Sequence, residues 1–243
     1  MLIDELIKAG EQFENDSIDE FSRYKSWEFC YERFRDSEIY NGDENKKTDE
    51  LAIHLSLYLA SWGMYRGSTF LLNKNYTINK KIVEEILKFK QNNKNYLEEY
   101  YKIVEKKQLE VFIQDVNFFN EIVNLGNIIS KAYEQNNVSE NVTDTLRTKI
   151  IMGTLGITPA YDNFFKDTLK ELIKEKDNAK NINNKFNSMS IQFCYNFYLD
   201  YFEHFENIRK DKNYPIMKIF DMCLWQYQKN IKEKEKNKQK AKQ

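Results

Sequence analysis

Trp62, Tyr65 and Arg66 stand together in the stretch SWGMYRGS, residues 61–68, and their types suit the binding of a base or a phosphate. Aromatic rings stack on bases, and a guanidinium beside them pairs with phosphate oxygens. Arg66 is the only Lys or Arg in the apolar stretch 51–72, so it needs a partner or a position at the edge of a pocket. These residues predict a ligand pocket lined by two aromatic side chains and one cation.

Gly63 and Gly67 lie four residues apart within this stretch, which places them on one face of a predicted helix. Glycine inside a helix costs roughly 1 kcal/mol relative to alanine, so some other contact must compensate for it. One explanation is a groove in which a second helix crosses at close range. The other explanation is that the glycines open space beside Trp62, Tyr65 and Arg66, where an aromatic ring next to an arginine could bind a base or a phosphate.

Asp162 is the second candidate, and it lies in the segment IIMGTLGITPAYDNFFKDTL, residues 151–170, with two of the seven glycines and one of the two prolines. Capping preferences explain the break in this segment without any activity. Gly156 suits the position after a helix end, Thr158 suits an N-cap, and Pro159 suits the first helical position. Asp162 would then lie in the first turn of the new helix, where the helix dipole favours an acid.

Other motifs of catalysis and metal binding do not occur in the sequence. The two histidines, His54 and His204, have no His or Cys partner at metal-ligand spacing on their own helices. No P-loop, GxGxxG, HExxH or GxSxG motif is found. The three cysteines lie far apart without a CxxC pair, and we expect them to be reduced and buried. We therefore predict neither a metal nor a cofactor.

A family resemblance rests on TKIIMGTLGITPAYDNFFKDTL, residues 148–169, which resembles the part of helix-hairpin-helix DNA glycosylases where a helix leads to a Pro-x-Asp or Pro-x-x-Asp turn. The segment is more similar still to divergent bacterial relatives with an 8-oxoguanine-glycosylase-type fold. Those relatives combine a helix beginning Ser/Thr-Lys, a Pro-x-Tyr-Asp-like turn and a late Asp-x-x-Leu-Trp or Asp-x-x-Leu-Phe helix. In this chain the late helix corresponds to Asp221–Trp225.

This resemblance covers about 90 residues and implies DNA as the partner. It implies that Asp162 takes the position of the acid that assists base excision, with Tyr161 beside it as a binding residue. It assigns no role to Lys149, which lies too close to Asp162 along the chain to match the lysine of that family. The family's glycine hairpin, which grips a DNA phosphate, has no counterpart in EQNNVSENVTDTLR, residues 134–147.

The elements that must position these residues are predicted to be helices. Seven glycines and two prolines in 243 residues are too few for the turns of a sandwich or barrel. We predict an all-α fold, a multi-helix globular bundle of roughly nine to ten helices with no sheet of consequence. Start signals predict one helix from a capping box at Ser17–Glu20 to about Arg35, and another from Thr48 to residue 72. The second is apolar almost all round, which is typical of a central, buried helix.

One compact helical domain is predicted over residues 1–228, with a candidate subdivision at the polar stretch 134–143. Residues 229–243 hold seven lysines and two glutamates, and we predict a flexible tail there. Its lysines either attract phosphates in a salt-sensitive way or form a solvated segment with no role.

Charge and hydropathy limit the partners only weakly. The net charge of −1 gives no overall argument for nucleic acid. The acidic N-terminus and the lack of a long apolar run predict a cytoplasmic protein with no membrane partner.

Three functions stay open. The first is a divergent DNA glycosylase-like protein that binds or acts on DNA, in repair or phage defence. The second is a non-catalytic helical interaction protein, in which Asp162 is an exposed first-turn acid. The third is a small-molecule or nucleotide sensor that uses the Gly63/Gly67 groove.

Overall fold

The computed structural model describes residues 2–39, 43–67, 69–136, 141–176, 179, 181–210 and 212–240, and these form helices without a strand. This confirms the all-α globular bundle. The described residues contain twelve α-helices rather than nine to ten, because short polar turns divide several predicted helices. The twelve are α1 Leu2–Asp16, α2 Lys25–Arg35, α3 Glu44–Ser61, α4 Lys80–Asn92, α5 Lys94–Tyr101, α6 Lys106–Phe112, α7 Val116–Gln135, α8 Asp144–Thr154, α9 Asn163–Glu175, α10 Ser188–Asp200, α11 Phe202–Arg209 and α12 Ile216–Lys240.

The prediction of a capping box at Ser17–Glu20 is wrong. Ser17 closes the C-terminal end of α1 instead: its backbone N–H donates to the carbonyl of Phe13, 3.1 Å away, and its Oγ donates to the carbonyl of Glu14, 2.7 Å away. The next helix, α2, begins only at Lys25. A serine offers a hydroxyl to either end of a helix, so the local pattern alone did not decide between them.

The predicted helix from Thr48 to residue 72 is also corrected at both ends. It begins at Glu44, because Asp43 is the N-cap and accepts a hydrogen bond from the Asn45 N–H. It ends at Ser61, where Gly63 has φ +76° and the Met64 N–H donates to the carbonyl of Leu59, 2.8 Å away. This is a Schellman end, which requires a left-handed residue.

Both glycines therefore lie beyond the end of α3, so their placement on one helix face is wrong, and with it the groove for a crossing helix. That they open space beside Trp62, Tyr65 and Arg66 stays a prediction. Gly67 also has a positive φ, +65°. The prediction that this helix is buried all round holds for one face only. Leu55 and Leu59 are fully buried, whereas Leu57 is 61% exposed.

Two helices are buried on every face along part of their length, and both lead to the candidate site. In α8, every residue from Thr148 to Thr154 is buried, and this helix packs against α2, α3 and α7. In α12, every residue from Ile216 to Gln226 is buried against α1, α9, α10 and α11. These two stretches include the charged residues Lys149, Lys218 and Asp221, which is unusual for core helices.

The sequence predicts two boundaries along the chain, at the stretch 134–143 and at residue 229. The stretch 134–143 joins α7 to α8, but residues 137–140 lie outside the described residues. The lysine-rich segment continues α12 as far as Lys240, and residues 241–243 lie outside the described residues, so its flexibility stays a prediction.

All three cysteines are buried and free, as expected. No helix in the described ranges is long and apolar enough to cross a bilayer.

Candidate functional site

The corner around Gly156 connects α8 to α9 and differs from its predicted form. Gly156 follows the end of α8 with φ +65°, as predicted, and its N–H donates to the carbonyl of Ile151, 3.1 Å away. Thr158 and Pro159 do not begin the next helix. That helix begins at Asn163, and Asp162 is its N-cap. Residues 157–161 are an irregular segment that is fully buried.

Side chains from other elements satisfy the backbone of this buried segment, as a non-helical segment in a core requires. Each of the following backbone groups has a partner at 2.8–2.9 Å: the Leu155 carbonyl with the Tyr101 hydroxyl, the Gly156 carbonyl with the Tyr100 hydroxyl, the Ile157 carbonyl with the Tyr195 hydroxyl, the Ala160 N–H with Asp221 Oδ1, the Tyr161 N–H with Thr148 Oγ1, and the Tyr161 carbonyl with the Thr145 hydroxyl. These bonds hold the corner in one position and therefore fix where Asp162 lies.

The carboxylate of Asp162 has two partners, one for each oxygen. Oδ1 accepts the Phe165 N–H at 3.1 Å, which caps α9. Oδ2 lies 3.3 Å from the Lys149 ammonium. The side chain of Asp162 is only 16% exposed and that of Lys149 only 6%, so this is a largely buried ion pair. The Lys149 ammonium also lies 3.5 Å from the Trp62 carbonyl.

A cavity of about 320 Å³ opens at this ion pair. Its walls come from the turn after α3, from α8, from the start of α9, from α12 and from the loop between α1 and α2. The residues that give it its character are Arg23, Trp62, Arg66, Lys149, Asp162 and Trp225. Three cations and one carboxylate therefore surround two indole rings.

Trp62 is the centre of this aromatic wall. The ring centroids of Trp62 and Trp225 are 5.4 Å apart at an interplanar angle of 80°, an edge-to-face contact. The Arg23 guanidinium lies 5.2 Å from the Trp62 ring, and the Lys149 ammonium lies 5.1 Å from it. Cations at these distances interact favourably with an aromatic face, so the wall combines stacking surface with positive charge.

Two buried charges of opposite sign, Lys218 and Asp221, lie beneath the wall on α12. Lys218 is 3% exposed and its ammonium lies within 5 Å of the rings of Phe13 and Trp27. Burial lowers the pKa of Lys218 to about 8, although the nearby charge of Asp221 opposes this change. Burial raises the pKa of Asp221 to about 6, and here the charge of Lys218 opposes the change. Because Asp221 Oδ1 accepts the Ala160 N–H, Asp221 supports the corner directly.

The structure brings three of the five predicted site residues together. Trp62, Arg66 and Asp162 line one cavity. The other two have their hydroxyls in packing contacts outside this lining. The Tyr65 hydroxyl accepts a hydrogen bond from Asn79 Nδ2 at 3.1 Å. Tyr161 is fully buried, and its hydroxyl lies 2.6 Å from Ser190 Oγ.

Arg23, Lys149 and Lys218 were missed as site residues. For Lys149 and Lys218 a signal exists: Lys149 begins the apolar or small run KIIMGTL, and Lys218 lies with Asp221 in the otherwise apolar run PIMKIFDMCLW. A charge in a buried helix needs a reason. Arg23 lies in an irregular loop, where the sequence carries no signal of what the side chain faces.

Comparisons with known proteins add no relative: no family model, no curated protein and no solved structure matches this chain. Within the described ranges, no group of three or more His, Cys, Asp or Glu side chains could hold a metal ion.

Proposed function

We propose that this chain is a divergent DNA glycosylase-like protein that holds one base of DNA in the cavity, with Asp162 as its catalytic carboxylate. The observation that carries the proposal is the meeting of three sequence-distant segments at one cavity. These are the turn with Trp62 and Arg66, the corner with Asp162, and the α12 segment with Trp225. They include two of the three motifs on which the resemblance rests.

Each wall of the cavity has a task in this proposal. A base can be excised only after it leaves the duplex, so its flat faces need an aromatic surface that replaces the lost stacking. Trp62 and Trp225 provide that surface. Arg23 and Arg66, at the edge, are suited to the phosphates on either side of the extruded nucleotide.

Asp162 has the chemical role. When the N-glycosidic bond is hydrolysed, its electrons leave with the base, a water oxygen bonds to the sugar carbon, and a water proton ends on the base. Positive charge develops on the sugar during this step, and a fixed carboxylate stabilises it. The cap to Phe165 and the ion pair with Lys149 orient the Asp162 carboxylate before the substrate arrives.

Asp162→Asn tests this role, because asparagine caps a helix as well as aspartate but carries no charge. The assay incubates the full chain with labelled duplexes that each contain one damaged or modified base, and measures abasic sites by alkaline cleavage. We expect the variant to lose about 100-fold or more of the wild-type rate. Asp144→Asn is the matched control, since Asp144 also forms an ion pair on its helix, with Arg147, but does not line the cavity.

Two results contradict the proposal. Base release that Asp162→Asn leaves intact would show that the carboxylate is not catalytic. DNA binding without release of any base in the panel would leave a binding protein instead of an enzyme.

A nucleotide sensor is the second candidate, and the three cations around the indoles favour it. A free nucleotide offers the same ring and phosphate as a DNA base. Titration with a panel of nucleotides, followed by tryptophan fluorescence with Trp62→Phe as the control, separates the two candidates when combined with the excision assay. The interaction-protein alternative expected an exposed Asp162 and no polar cluster in a pocket, and both features differ here.

A further inference from the structure

One face of α12 carries both the groups of the site and a row of lysines. At about 100° per residue, the positions separated by three or four residues fall within an arc of about 100°. In chain order they are Lys218, Asp221, Trp225, Lys229, Lys232, Lys236 and Lys240. The face that builds the cavity wall therefore continues outward as the lysine row, Lys229 to Lys240.

The first lysine of the row touches the aromatic wall. The Lys229 ammonium lies 5.8 Å from the centroid of the Trp225 ring and donates a hydrogen bond to the Tyr24 hydroxyl, 3.1 Å away. The Tyr24 ring is in turn 5.8 Å from that of Trp62. The row is thus continuous with the cavity.

The outer part of the row is presented to solvent. Every residue from Glu233 to Lys240 is exposed. Lys232 is 4.0 Å from Glu235, a weak surface pair. At a rise of about 1.5 Å per residue, the helix from Trp225 to Lys240 spans about 22 Å. This is roughly the length of six base pairs of duplex.

We propose that the lysine row binds the sugar–phosphate backbone of a nucleic acid that has a base in the cavity. This inference rests on the proposed function. A compact anion would need only the cations at the cavity, whereas a straight row of positive charges matches a ligand with regularly spaced negative charges. A nucleic acid combines such charges with a ring that can stack on the wall formed by Trp62 and Trp225.

The experiment compares two double variants of the full chain that differ only in the face they change. Lys236→Glu/Lys240→Glu alters the row, and Lys234→Glu/Lys238→Glu makes the same charge change about 160° away on the same exposed helix. Both introduce acids near a helix C-terminus, so any loss of helix is matched, and circular dichroism monitors it.

Binding of a fluorescein-labelled 20-base-pair duplex is measured by anisotropy between 50 and 300 mM salt. Each phosphate contact adds about 0.9 to the slope of log K against log salt. We expect the row variant to reduce this slope by about 2 and the control variant to reduce it by less than half as much. An equal reduction of the salt slope in the two variants would overturn the proposal, because it would mean that only the total charge of the helix matters.

Two further arms separate this inference from the function on which it rests. A mononucleotide that quenches the tryptophan fluorescence of both variants equally reports an intact cavity, so a smaller salt slope in the row variant then supports the row itself. If the row variant keeps the wild-type salt slope while base release still depends on Asp162, the proposed role of the lysine row is overturned and the proposed function is not. Binding to vesicles with 30% phosphatidylserine that requires the row, without duplex binding, overturns it in favour of a membrane surface.

Discussion

Replacing Asp221 by asparagine tests whether the buried charge of this residue on α12 costs stability, as its surroundings indicate. The carboxylate is 8% exposed, and its Oδ1 accepts the Ala160 N–H at 2.9 Å. An asparagine oxygen can accept the same hydrogen bond, so the substitution removes a charge and keeps the corner. Lys218, one turn earlier, stays in place in both proteins.

The magnitude follows from linkage. Burial raises the pKa of Asp221 to about 6, from about 4 in an unfolded chain. The folded protein therefore binds more protons than the unfolded chain between these values, and its stability falls as the pH rises through this window. The asparagine variant lacks this loss. Between pH 4 and 6.5 its free energy of unfolding should rise by about 2 kcal/mol relative to wild type.

The assay is urea unfolding at constant ionic strength at pH 4.0, 5.0, 6.0 and 6.5, followed by circular dichroism. The series stops at pH 6.5 because burial lowers the pKa of Lys218 to about 8, and loss of Asp221 lowers it further. Asp167→Asn, which removes an exposed carboxylate from α9, is the control. The reasoning is refuted if the free energy of unfolding of the variant, relative to wild type, stays constant within about 0.5 kcal/mol over this pH range or falls as the pH rises.

Two other predictions concern the packing that holds the site. In Gly153→Ala the new methyl would overlap the buried ring of Tyr58, so the free energy of unfolding should fall by about 1–3 kcal/mol even though alanine favours a helix by about 1 kcal/mol. An unchanged or higher value in urea unfolding contradicts this. Tyr133→Phe removes the hydroxyl that donates to Asn79 Oδ1 at 2.6 Å, and should cost about 1–3 kcal/mol in thermal or urea unfolding. A neutral effect would mean that another donor replaces the hydroxyl.

The fold class was predictable because it depends on composition and period, which are spread along the whole chain. The ends of the helices were less predictable, since several residue types can occupy the capping positions at a helix end. Thr158 and Pro159 match a helix start as well as Asp162 does. Asp162 is the N-cap because Asp221 and Thr148 accept hydrogen bonds from the backbone of Ala160 and Tyr161 and hold that segment out of a helix. Asp221 is distant from this segment in the sequence.

The candidate site was predictable in parts. Arg66 and Asp162 stood out because one is a lone cation in an apolar stretch and the other follows a strong break. Their proximity was not predictable, because it depends on how α3, α8 and α12 pack. Gly63 gave a misleading signal: its spacing from Gly67 suggested a helix face, but its positive φ marks a helix end.

Helix capping explains Asp162 only in part, and the buried charges around it need another reason. An uncharged Asn or Ser caps a helix equally well and requires no buried lysine. The largely buried ion pair Lys149–Asp162 and the buried charges of Lys218 and Asp221 lose so much hydration that apolar replacements are often as stable or more stable. Stability therefore does not account for four such charges at or beside one cavity. Ionisable groups held in costly surroundings at a cleft are typical of binding and catalytic sites, which is why the buried charges at this cavity, more than its shape, favour a functional site.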